Sequence, residues 1–80
     1  MNTYLVTFHS QFAALALCKE LSSAGIEAEL ADVPRDLSAS CGICLYFSAA
    51  DWQLVKGAYD LDAIYLYAAD NSYQMLYQVD

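Results

Sequence analysis

Between Ser10 and Gly25 the chain writes out one helix together with both of its ends, and this segment limits what the rest can build. Serine hydroxyls accept hydrogen bonds from the orphan N–H groups of a first helical turn, so a helix is expected to begin at Gln11. Within QFAALALCKELSSAG, Ala14, Leu17, Cys18 and Leu21 recur at spacings of three and four and form one apolar stripe. Lys19, Glu20, Ser22 and Ser23 make the wet side. Gly25 supplies the left-handed residue that stops the helix.

Strand signals lie on both sides. YLVTF, residues 4–8, is β-branched and aromatic without a breaker. IEAELADV, residues 26–33, reads as a second strand whose Glu27, Glu29 and Asp32 suit a sheet edge. Pro34, lacking an N–H for the ladder, ends it. After a loop over 34–42, ICLYF places Ile43, Leu45 and Phe47 on one face and Cys44 and Tyr46 on the other. Ser48 and Asp51 match the S-x-x-D capping box, so a second helix is expected from Ala49 or Ala50. Leu54, Ala58, Leu61, Tyr65 and Ala68, spaced four, three, four, three, extend it to about residue 69. The rival reading makes IYLYA, residues 64–68, a strand, because its β-propensity is high. With the long helix, Asn71 lies near its C-terminus and SYQMLYQV is the last strand. Tyr73, Met75, Tyr77 and Val79 there alternate with Gln74, Leu76 and Gln78.

The expected order is β-α-β-β-α-β, an α+β, ferredoxin-like arrangement over residues 1–80 as one domain. Two helices would cover one face of a four-stranded antiparallel sheet. The other face would stay open or pair with a partner, a second copy of the chain among them. Tyr46, Tyr73 and Tyr77 are candidates for an aromatic contact surface.

Composition removes several functions. Ten acids against three bases give a net charge of −7, the wrong sign for a phosphate backbone, so no nucleic-acid partner is expected. A basic protein partner suits the charge better. No apolar run approaches the roughly 20 residues of a membrane span. MNTYLVTFHS lacks the basic start and long apolar stretch of a signal peptide, and a cytoplasmic location is expected. Three cysteines, an odd number, argue for reduced thiols over a disulfide framework. His9 and Cys18 lack zinc-knuckle spacing, so neither a metal nor another cofactor is expected.

The chemistry concentrates in VPRDLSASCGICLYF, residues 33–47. A working thiol must be reachable, with its thiolate stabilised by cations or N–H donors. Cys41 meets the first need at the end of the loop. Arg35, the chain's single arginine, can serve the second, with Ser38, Ser40 and loop N–H groups as further donors in a small anion-binding nest after Pro34. Gly42 removes a side chain beside the sulfur. The plainer reading is a turn rich in the usual Pro, Ser and Gly, with Arg35 paired to Asp32 or Asp36. The C-x-x-C spacing of Cys41 and Cys44 resembles a redox pair, but such motifs open helices, and in a strand the two side chains point to opposite faces. Cys44 is then a packed strand residue and Cys18 a core one. His9 is a further candidate as proton donor or acceptor beside the loop.

At this loop the sequence resembles the selenium/sulfur (Se/S) carrier-like proteins of bacteria. Thr7-Phe8, Gly25-Ile26, Val33-Pro34-Arg35, Leu37-Ser38 and Cys41-Gly42 stand in the family's order, and LYQVD resembles its closing strand. The resemblance implies a non-enzymatic carrier. Cys41 would hold sulfur or selenium as a persulfide or selenopersulfide between donor and acceptor proteins, with Arg35, Ser38 and Gly42 shaping its loop. Tyr46 departs from a position that is often basic in the family, Cys44 lies outside the common pattern, and the segment before the last strand is longer. Two other functions fit the residues: an interaction or regulatory module, and a soft-metal chaperone using Cys41 and Cys44.

Overall fold

The computed structural model describes residues 1–37 and 41–79. Strand β1 (Asn2–Phe8) leads into helix α1 (Gln11–Ser23), followed by β2 (Ala28–Asp32) and β3 (Ile43–Ala49). A short 3-10 turn at Gln53–Val55 precedes β4 (Leu61–Tyr67) and β5 (Tyr73–Gln78). The strands form one sheet in the order β2-β3-β1-β4-β5, antiparallel at every step.

The helix forms where its local signals put it. The Ser10 hydroxyl accepts from the Ala13 N–H at 3.3 Å, satisfying one orphan donor. At the far end Ile26 N–H reaches the Leu21 carbonyl at 2.9 Å and Gly25 N–H reaches Ser22 at 3.1 Å. This is the Schellman pattern, and Gly25 adopts the positive φ of 80° that it requires. Ala13, Ala14, Leu17 and Leu21 are buried against the sheet. Tyr4, Val6 and Phe8 of β1, Leu45 and Phe47 of β3, and Leu61 and Ile64 of β4 complete that layer.

The expected second helix is absent among the described residues, and the sheet has five strands instead of four. Ser48 belongs to β3, its hydroxyl 3.4 Å from that of Thr3. Asp51 caps only the short turn, its Oδ1 accepting from Gln53 N–H at 3.1 Å. The stripe of Leu54, Ala58, Leu61, Tyr65 and Ala68 fails because no surface collects it. Leu54 stays 50% exposed, and Leu61 and Tyr65 pack in separate clusters on opposite sides of the sheet. β4 lies between β1 and β5, where a strand gains ladder bonds on both edges that a helix would forgo. The β-propensity of IYLYA therefore prevails, and of the two readings of residues 64–68 the strand covers Ile64–Tyr67. Two register shifts, at Thr7/Phe8 against β4 and at Ile64/Tyr65 against β5, break the simple alternation. The second puts Leu76 and Tyr77 together on the helix side.

The face away from the helix is covered by the chain's own side chains. Leu5, Cys44, Ala63 and Tyr65 are buried there, with Val33, Leu37, Tyr46 and Tyr73 packed against them. The Tyr67 and Tyr73 rings stack at 5.2 Å, and the Tyr46 and Tyr73 hydroxyls lie 3.2 Å apart. Tyr77, by contrast, stacks on Trp52 on the helix side, so the three expected tyrosines do not form one surface. No helix of the described residues is long and apolar enough to cross a membrane.

Candidate functional site

The segment joining β2 to β3 is pinned at its base, where Val33 N–H donates to the Gly42 carbonyl at 3.1 Å. Leu37 N–H returns to the Pro34 carbonyl at 3.0 Å, so Pro34 opens a four-residue turn. Val33 and Leu37 turn onto the face away from the helix, while Arg35 and Asp36 are exposed. Among the described residues Arg35 has no ion pair, with Asp32 and Asp36 included. Ser38 and Ser40, both expected in the anion-binding nest, lie outside the described residues.

Cys41 sits just before β3, half-buried against the helix-side core. Its Sγ donates to the Ile43 carbonyl at 3.2 Å, and its own carbonyl accepts from Gln11 Nε2 at 3.1 Å. Gln11 was invisible to sequence reasoning. It is a helix-start residue thirty positions away, and no local signal links it to the loop. Gly42 adopts a positive φ of 77°, a backbone state that only glycine enters without strain. A side-chain carbon there would meet nothing within 4 Å, so Gly42→Ala isolates the backbone term. It is expected to cost about 1 kcal/mol in urea denaturation. A variant as stable as the parent would show that this φ is not what the residue supplies.

The other two thiols are placed differently. Cys18 packs beside the helix-side core. Cys44 is fully buried on the opposite side of the sheet from Cys41, its Sγ donating to the Asp32 carbonyl at 3.5 Å. Burial above all, then the neighbouring Cys41 and Asp32, pushes its thiol up from 9.0 to about 11. It therefore keeps its proton at neutral pH. Among the described residues no group of three His, Cys, Asp or Glu side chains is arranged to hold a metal. His9 is half-exposed, with Nε2 3.9 Å from Asp62 Oδ1. Asp62 also accepts from the buried Thr7 hydroxyl at 3.0 Å. The structure thus brings Cys41, Gly42 and Gln11 together, and sets His9 near Asp62, away from that group.

Residues 3–60, which contain this loop and the helix that anchors it, match the family described as "Putative Se/S carrier protein-like". The chain belongs to the Se/S carrier-like family. Over 48 residues it is also 35% identical to the uncharacterized protein YtiA of Escherichia coli strain K12, an alignment covering 60% of this chain and 56% of that protein. The chain therefore spans little more than half the length of that relative. No solved structure matches it. The family match ends at Asp60, so β4 and β5 lie beyond the matched segment.

Proposed function

We propose that the chain is a carrier in which Cys41 holds sulfur or selenium between protein partners. What supports this is a half-buried thiol whose own and following carbonyls are held by Gln11 and Val33, inside the segment that matches a carrier family. In the transfer step the Cys41 thiol first loses its proton to solvent. The thiolate then attacks the outer sulfur of a donor persulfide, R–S–SH. A new S–S bond forms from the thiolate electron pair, the donor S–S bond breaks, and its pair leaves on R–S⁻. The product is Cys41–S–SH, and the reverse attack by an acceptor thiolate delivers the sulfur onward. No oxidant is consumed. Arg35, exposed in the same loop, is the cation available to an approaching anionic group. Phe12 and Leu15, 71% and 54% exposed on the first turns of α1, offer a partner apolar contact next to the Gln11 tether.

The test is intact-mass analysis after incubation with a cysteine desulfurase and cysteine or selenocysteine. A gain of one sulfur or selenium atom is expected in the parent, Cys18→Ser and Cys44→Ser proteins, and none in Cys41→Ser. An adduct that survives Cys41→Ser, or none with any of several donors, overturns the reading.

A further inference from the structure

We propose that Gln11 is a positioning residue for the Cys41 thiol, holding the Cys41 carbonyl so that the sulfur is sheltered or presented by rotation of its side chain. The use of such a device rests on the carrier reading above; its geometry does not. The Cys41 carbonyl is tied to the start of α1 through Gln11 Nε2 at 3.1 Å, and the Gly42 carbonyl is tied to Val33 N–H at 3.1 Å. The two peptide units following the Cys41 Cα are therefore anchored to different segments, the start of α1 and Val33, the residue after β2. With the Cys41 carbonyl held in this way, rotation about the Cα–Cβ bond is the shortest route by which the sulfur changes position.

The thiol occupies the sheltered position, where Sγ–H donates to the Ile43 carbonyl at 3.2 Å and the side chain packs on the core. A thiolate or persulfide anion has no proton for that bond and would face the negative end of a carbonyl dipole. An anionic sulfur is therefore disfavoured in the sheltered position and favoured outside it, while the tether holds the Cys41 carbonyl in place. Without Gln11 the anchor left to the loop end among the described residues is the Gly42 carbonyl, and the sheltered position loses support that keeps Cys41 against Ile43. A neutral hydrogen bond of this kind contributes modestly, which sets the size of the effect at about two- to tenfold in reactivity.

The measurement is the rate of iodoacetamide modification at each cysteine, resolved by mass spectrometry, for the parent, Gln11→Ala and Gln11→Met. Alanine and methionine favour helix at least as well as glutamine, and Met also keeps its length, so α1 is preserved while the donor is lost. Cys41 is expected to react about two- to tenfold faster in both variants, with Cys18 and Cys44 unchanged. The carbonyl carbon resonance of Cys41 is expected to move upfield as its hydrogen bond is lost, a signature that loosening elsewhere would not produce. A Cys41 rate that is unchanged or falls, or all three cysteines accelerating together, overturns the proposal. Persulfide loading of the parent protein is read separately: if it fails while the Gln11 effect holds, the carrier reading falls and the tether stands.

Discussion

Phe47→Ala is expected to remove about 3–5 kcal/mol of folding stability, more than any other single truncation considered. Phe47 is 1% exposed in the middle of β3, with Tyr4 of β1 on one side and Ala28 of β2 on the other. Its ring lies 5.3 Å from that of Tyr4, tilted by 37°, a favourable aromatic contact in addition to the area buried. Both side chains belong to the layer that receives the buried stripe of α1. Truncation therefore opens a cavity where two strand pairs and the helix meet, and a fixed sheet backbone cannot close it. A domain of this length has roughly 4–12 kcal/mol of stability in all, so the variant should lose much of its folded population in mild urea. Phe12→Ala is the control. The same chemical change on a ring that is 71% exposed should move stability by less than about 0.5 kcal/mol. Equal effects at the two positions would mean that the layer between α1 and the sheet is not the core.

The contrast between those two phenylalanines also shows what the sequence made legible. The helix was readable at both ends because its signals are local: a serine that caps its own first turn and a glycine that closes its last. The faces of β3 were readable because alternation from Ile43 to Phe47 is unbroken. The stretch from Ala50 to Ala68 was not, because two periodicities overlap there and the deciding partners, β1 and β5, lie elsewhere in the chain. Bulges obscure such segments further, since each shift reverses which residues share a face. At the site, the place of Cys41 at the loop end and the separation of Cys44 from it followed from strand geometry. The Gln11 contact did not, because a hydrogen bond across thirty residues exists only once β1, α1 and β3 are in place.

Raising the pH from 8 to 11 should weaken the fold by about 2–3 kcal/mol through Cys44 alone. The folded protein holds this thiol near 11 against an ordinary 9.0, chiefly because the sheet buries it. Below about pH 8 both folded and unfolded chains keep the proton, and the group contributes almost no pH dependence. Between 9 and 11 the unfolded chain releases the proton while the folded one retains it, so unfolding is increasingly favoured, until the folded thiol also ionises. Tyr46 and Tyr65 act in the same direction at higher pH. Burial raises both, with the Tyr73 hydroxyl adding to the first and Asp62 to the second. All three groups line the face away from the helix, so alkaline unfolding is expected to start there. Urea titrations at pH 8 and pH 10.5 on the parent and on Cys44→Ala separate the contributions, because the tyrosines are common to both proteins. The parent should lose about 2 kcal/mol more than the variant between those two pH values. Parallel losses would mean that the Cys44 thiol ionises in the folded state as readily as in water, and that water reaches the tyrosine-covered side of the sheet.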